Sequence, residues 1–460
     1  MFPAVPEAAL AELGRTEGGA DTLALLVRDQ DTRRLLLLRA VLDAAEAADP
    51  ALCPPAAKAR LREDWALVTA ADRSGAAGSP ARAGLGHPLL GPWARRCLTG
   101  LDPRSAPTDA QRHELALDLA YFSAVAAVAA ARAGIPFSTE LTARDGILVL
   151  PSLGALRTSE PRVRVTYDRA RLTLGRTTVH LENDSGAWSA SRAWTPACTL
   201  PGLVPDAAPL PLDDLDPYRV PPREPGRYAL SGPAAPDDAE RKRWLQSWSG
   251  TAAALRTGGE GRLTETVALL RCLIPVELPP GAGRRAECSG TRRDAFGALL
   301  SNVPATPVAF ASTLVHELQH TKMVALGDLV ELHRADSAAR YFAPWRPDPR
   351  PYDGLLQGAY SHLALADFFQ RRALTTEPAR SEGAWAQYAR YHAQVGAALP
   401  ALVASPDLTA VGRRFVDEMA ATYERLAAHP APRGHTARAQ AHVKAVRTLW
   451  TQRRPRSESH

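Results

Sequence analysis

A chain of 460 residues with 45% hydrophobic and 23% charged residues has enough apolar material for a core and too balanced a composition for wholesale disorder. The net charge of +6 is carried almost entirely by dispersed arginine, with lysine only at Lys58, Lys242, Lys322 and Lys444, and its one basic run is the tail Arg453-Arg454-Pro455-Arg456. That excludes the clustered patch a nucleic-acid partner needs. Five scattered cysteines without a CxxC pair exclude a zinc ribbon or a disulfide scaffold and point to a reducing compartment.

The N-terminus carries Glu7 and Glu12 where a secretory signal would be apolar. The most apolar stretch, Leu119 to Ala131, is too short to span a bilayer. A cytoplasmic protein without a membrane or nucleic-acid partner is therefore expected.

In chain order, residues 7–50 place Leu and Val at helical spacing, and Pro54-Pro55 breaks the pattern. Residues 56–135 read as helical again, interrupted by the loop GAAGSPARAGLGHP, and the alanine-rich helix around 115–133 should be buried. From about 147 to 185, β-branched and polar residues alternate between turns, which predicts a small antiparallel sheet. Residues 196–240, rich in proline and acid, predict a long irregular segment. Helices are expected near 238–256 and 263–272, then from Thr306-Pro307, an N-cap and first-turn pair, to about Leu332. Further helices are expected near 354–372, 383–400, 406–428 and 435–452. The fold class is α+β, predominantly helical with a small antiparallel sheet. Three regions follow: helical 1–145, sheet and irregular 146–240, and a helical catalytic region 241–460.

The chemistry lies in His316-Glu317-Leu318-Gln319-His320. Histidines at i and i+4 share one helix face and can bind one metal, with Glu317 between them. The flanks AFASTLV and MVAL bury this helix, and buried polar groups need partners. Asp328, Glu331 and His333 continue along the same helix, where Glu331 would stand roughly 16 Å beyond His320 unless Gly327 breaks it. The metzincin pattern is absent, since Met323 and Leu326 stand where Gly and His would be required.

His362, in the apolar helix GLLQGAYSHLALADFF, is the stronger third ligand, with Asp367 and Glu331 as rivals. Gly358 on the same face permits close approach of a helix or ligand. Between the two helices, ARYFAPWRPDPRPYDG holds Arg346 and Arg350 on a proline-stiffened segment. They suit either an acidic co-substrate or loop ion pairs with Asp348 or Asp353. The glycine-rich run PPGAGRRAECSGTRRDAFGALLSN is no phosphate loop; Ser289, Gly290, Thr291 and Arg292 either border the site or form a plain loop. Cys288 has no nucleophilic context, and no GxSxG elbow occurs.

At this level two readings stand. A zinc metallopeptidase would use Glu317 to activate water. A peptide-binding module would hold a structural metal.

The strings ASTLVHELQHTKMVALGDLVEL and YFAPWRPDPRPYDGLLQGAYSHLALADFF resemble the HExxH-type, 2-oxoglutarate-dependent peptide β-hydroxylases, which modify ribosomally made peptides. HPLLGPWARRCL, LVLPSLGALR and DDLDPYR are similar in order and spacing, so the resemblance covers most of the chain. It implies a non-haem Fe(II) enzyme with 2-oxoglutarate and O2 as co-substrates, inserting oxygen at a side-chain β-carbon of a precursor peptide. The metal role carries over to His316, His320 and His362. A 2-oxoglutarate contact by Arg346 or Arg350 is inferred from charge on a family-like motif. Glu317 then has no obligatory general-base role. With no CxxxCxxC cluster, this would be the form without a radical-SAM partner domain.

Overall fold

The computed structural model describes residues 5–74, 80–104, 107–182, 186–219, 232–278 and 288–453. Part of the expected irregular segment (220–231), the first nine residues of the glycine-rich run (279–287), the loop residues 75–79 and the basic tail from 454 lie outside the described residues.

The N-terminal third is helical: α1 (Glu7–Gly14), α2 (Ala20–Ala47), α3 (Pro55–Ser74), α4 (Pro80–Leu85), α5 (Leu90–Gly100) and α6 (Asp109–Arg132). Strands follow: β1 (Phe137–Thr142), β2 (Ile147–Leu150), β3 (Gly154–Arg157), β4 (Arg162–Asp168), β5 (Arg171–Leu174), β6 (Thr177–Glu182), β7 (Gly186–Trp188), β8 (Trp194–Pro196), β9 (Cys198–Leu200) and β10 (Leu210–Leu212). Then come α7 (Asp238–Trp248), α8 (Thr251–Leu255), α9 (Gly261–Leu269), β11 (Cys272–Pro275), β12 (Ser289–Thr291) and β13 (Ala298–Ser301). The chain closes with α10 (Pro307–Leu329), α11 (Tyr352–Thr375), α12 (Pro378–Val403), α13 (Ala410–Ala427) and α14 (Arg433–Arg453). The fold is α+β, mostly helical with small sheets.

The strand content exceeds the sequence expectation. Order β1-β4-β5-β6-β7 makes an antiparallel meander, and β2-β3-β8 a second antiparallel sheet. A third sheet, β12-β13-β11-β10-β9, contains parallel pairs β10–β11 and β11–β13. Its strands β9 and β10 lie in the segment expected to be irregular. Its strands β11 and β13 replace an expected helix end and a glycine-rich loop. Every residue of β11 and β13 is buried, so neither shows the alternation that marks a half-buried strand. The helix expected at 238–256 is broken at Gly250 into α7 and α8.

The chain folds as two compact units that are not contiguous in sequence. A helical unit comprises Met1–Asp29, Gln246–Leu270 and Pro304–His460; a mixed unit comprises Gln30–Leu245 and Arg271–Val303. The three expected regions cut the chain differently, because the N-terminal helix and the α8–α9 segment belong with the C-terminal helices.

In the mixed unit, α6 is capped by a reciprocal Thr108–Gln111 box. Its alanines let it pack closely on the meander, where Val163, Val165, Tyr167, Leu172 and Val179 face inward. It is the one described helix apolar and long enough to cross a membrane, and 72% of its most apolar window is buried inside the protein. A second core in this unit stacks Trp93 on Phe122 at 5.6 Å beside Cys272, Ile274 and Leu300.

In the helical unit, α10 packs on α8, α9 and α11, and α11 packs on α12 and α13. A buried ionic network ties α9, α10 and α11 together. Lys322 donates to Glu265 at 3.0 Å and to the Thr16 carbonyl at 3.0 Å, while Arg262 reaches Glu265 and Asp367, each at 3.1 Å. The network holds helix-to-helix register at the cost of desolvating four charges.

Candidate metal centre

Helix α10 begins where its sequence says it should. The Thr306 hydroxyl accepts the Ala309 N–H at 3.1 Å and Pro307 occupies the first turn. Nearly every position from Phe310 to Leu326 is buried except the stripe that carries the two histidines. One turn apart, His316 and His320 bring their Nε2 atoms to 3.2 Å. Two nitrogens about 2.1 Å from a shared ion, with bond angles between square and tetrahedral, lie roughly 3.0–3.4 Å apart. The observed spacing therefore fits a shared metal. It also suits an N–H···N hydrogen bond between the rings in the absence of an ion.

The third imidazole comes from α11. His362 is buried, and its ring centroid lies 5.6 Å from that of His316. Trp345 packs edge-on against it at 4.7 Å and Tyr391 at 5.1 Å. Its Nδ1 is buried with no hydrogen-bond partner among the described residues, an arrangement proteins avoid unless something else satisfies the atom. The trio is looser than a closed coordination shell, since its ligand nitrogens do not all lie within 4.8 Å of one another. Gly358 explains how Trp345 gets there. A Cβ at this position would sit 2.2 Å from the indole Cζ2, so the close approach this glycine permits is by an aromatic ring rather than another helix.

Electrostatics strip the charge from all three rings. Burial pushes His362 down to about 3, assisted by the Arg390 and His320 charges. Burial pushes His320 down to about 4, against Gln357, which accepts from the ring, and the Asp353 charge. Burial and the imidazoles of His320 and His362 push His316 well below its ordinary value. At neutral pH the site therefore presents neutral imidazoles with lone pairs free for a metal.

The rivals for third ligand are engaged elsewhere. Helix α10 ends at Leu329, past Gly327, and Glu331 forms an exposed pair with Arg334 at 2.9 Å. Asp367 is held by Arg262 at 3.1 Å and Arg371 at 2.7 Å. His333 lies 3.5 Å from Asp353 and packs against Tyr352. Glu317 is buried on α10, its Oε1 4.0 Å from His316 Nε2.

Arg346 pairs with Asp348 at 2.8 Å, one of the loop ion pairs the sequence allowed. Arg350 forms a two-residue antiparallel bridge with Tyr341, and its guanidinium lies against Gly354 at the start of α11. Ser289, Gly290 and Thr291 form strand β12 of the mixed unit, and Arg292 pairs with Asp294.

Three residues near the histidines were not singled out from sequence as part of the centre. Gln357 donates to Asp353 at 2.7 Å and, as an acceptor, favours the charged form of His320, the position an outer partner of a metal-bound imidazole would take. Arg390 on α12 acts on His362 by its charge and lies 5.4 Å from the Tyr391 ring. Asp353 and Gln357 stand one turn apart on α11 and could have been found by spacing; Arg390 depends on tertiary packing and could not. In comparison with known proteins, no family model matches the chain, and no curated protein is significantly similar to it.

Proposed function

We propose that the chain is an Fe(II)- and 2-oxoglutarate-dependent hydroxylase of a ribosomally made precursor peptide, with His316, His320 and His362 as metal ligands. The observation that carries this reading is the donor set: three neutral imidazoles from two packed helices, with the nearby acids Glu331 and Asp367 committed to arginines. Three nitrogen ligands leave positions for a bidentate keto acid and for oxygen. When bound, ferrous iron supplies the oxygen-activating chemistry; the net reaction converts peptide C–H, 2-oxoglutarate and O2 into peptide C–OH, succinate and CO2.

The chain's own residues orient and shield. Gln357, braced by Asp353, fixes the His320 ring. Trp345 and Tyr391 wall His362 with apolar surface, which keeps water from a reactive centre. The anionic co-substrate needs a cation. Arg346 and Arg350 are the candidates from sequence, and Arg390, whose charge already reaches His362, is the third. A carboxylate held bidentately by one of them would gain about 1.5–3 kcal/mol, roughly ten- to a hundredfold in binding.

Glu317 favours a second reading, a zinc peptidase, because a buried carboxylate 4.0 Å from a ligand nitrogen is placed to take a proton from water. Glu317→Gln separates the two. A hydrolase should lose nearly all activity, whereas an oxygenase should keep oxygen-dependent succinate formation coupled to the gain of one oxygen atom on the peptide. Oxygen-independent peptide cleavage without succinate would overturn the hydroxylase.

A further inference from the structure

Three strings from distant parts of the sequence meet in the mixed unit, and none serves the histidine centre. His87 opens HPLLGPWARRCL, the β2–β3 turn is the PSL of LVLPSLGALR, and Asp213 and Asp216 belong to DDLDPYR. One ligand atom from each of His87, Asp213 and Asp216 lies within 4.8 Å of the others.

The loop is built to present its carboxylates. Asp213 N–H donates to the Leu273 carbonyl at 2.7 Å, extending β10 alongside β11. Asp213 Oδ1 accepts the N–H groups of Leu215 and Asp216 at 3.3 and 3.0 Å, a turn that folds Asp216 back. Asp216 Oδ1 accepts the Tyr218 N–H at 2.8 Å, and Oδ2 accepts the Tyr121 hydroxyl at 2.5 Å. This leaves Asp213 Oδ2 facing His87 Nε2 at 3.4 Å. A charge-assisted bond would close to about 2.7–2.9 Å. His87 Nε2 is a buried atom without a hydrogen-bond partner among the described residues.

The charges want a counterion. Two carboxylates stand side by side, Asp216 buried and Asp213 with 11% of its side chain exposed. Among the described residues, neither side-chain carboxylate forms an ion pair with a lysine or arginine; the neighbouring Asp214 takes Arg241 at 3.0 Å instead. Beside the cluster, Leu150, Pro151, Ser152 and Gly154 with Asp213 and Asp216 line a pocket holding about 20 Å³ of free space. That is more than the roughly 10–15 Å³ one water requires.

We propose that His87, Asp213 and Asp216 bind a divalent first-row transition metal, separate from any ion at His316 and His320. One imidazole with two carboxylates suits zinc or manganese better than calcium or magnesium, which prefer all-oxygen shells. The Leu89 N–H contact to His87 Nδ1, long at 3.4 Å, is given up as the proton moves to Nδ1 and Nε2 turns acceptor. The ion would pin the segments before α5 and after β10 to one point and neutralise the two acids.

The test is Zn2+ titration of the full chain against a chromophoric chelator, in the background H316A/H320A. That variant should retain one equivalent of Zn2+. Adding H87Q or D216N should weaken binding at least about 100-fold, beyond the roughly 10–100-fold that loss of an outer partner costs. D216N keeps the shape and can still accept from Tyr121 or Tyr218. Circular dichroism of each metal-free variant checks that it folds. The inference is overturned if H316A/H320A holds no stoichiometric Zn2+, or if folded H87Q and D216N bind as tightly as the background. The difference between parent and H316A/H320A reports on the histidine centre alone, so the two readings fail separately.

Discussion

In the helical unit, three imidazoles stand together with their charge removed; in the mixed unit, two carboxylates stand together beneath one imidazole. In the first, burial depresses each ring, and His362 Nδ1 has no hydrogen-bond partner among the described residues. In the second, backbone N–H groups and the Tyr121 hydroxyl engage three of the four carboxylate oxygens, and what is unresolved is charge rather than hydrogen bonding. On the two readings proposed above, the contrast separates two ways a protein would prepare for a cation. Neutral ligands cost little while empty and leave open positions for chemistry. Clustered acids are costly while empty and return that cost when an ion binds. The first arrangement suits turnover and the second suits holding a structure together.

The sharpest way to break this contrast is to remove a ring. His316→Ala and His320→Ala should each abolish stoichiometric metal at the helical centre, measured by metal analysis, with circular dichroism close to the parent. His362→Ala should do the same; retained full occupancy would reduce His362 to a core histidine.

Next in size is the scaffold under the rings. Lys322→Met removes the ammonium from Glu265 and leaves it paired with Arg262, so stability to urea should fall by about 1.5–3 kcal/mol. A change below about 1 kcal/mol would mean the network does not hold α10. Gly358→Ala drives a methyl group into Trp345 and should cost about 1–3 kcal/mol, with a change in tryptophan fluorescence as the indole moves off His362.

The smallest expected effect sharpens the comparison. Gln357→Ala removes the outer partner of His320 and should weaken metal binding by roughly 10–100-fold without touching the His87 cluster, which Zn2+ titration in each background can resolve. Equal losses at both sites would show a general unfolding effect instead.

The helical centre was legible because its signals are local. Thr306-Pro307 marks the start of α10, the four-residue spacing of His316 and His320 defines a face, and His362 sits in an apolar run that could only be a buried helix. The α+β class followed from the same periodicities. The β11 and β13 strands were not legible, because four-residue strands buried on both faces carry neither period. The His87 cluster was invisible for a different reason. Position 87 and positions 213–216 lie more than a hundred residues apart, so no spacing rule joins them. Arg390 was missed likewise, since only the packing of α12 on α11 brings its charge to His362.

The central claim, that the three-histidine centre holds iron for oxygen chemistry, is tested most directly by titrating 2-oxoglutarate into anaerobic, Fe(II)-loaded protein while recording the visible spectrum. The account predicts a keto-acid charge-transfer band that saturates at one equivalent per chain and is lost in His362→Ala. A protein that takes up stoichiometric Fe(II) at His316 and His320 yet shows no band at any 2-oxoglutarate concentration would contradict it.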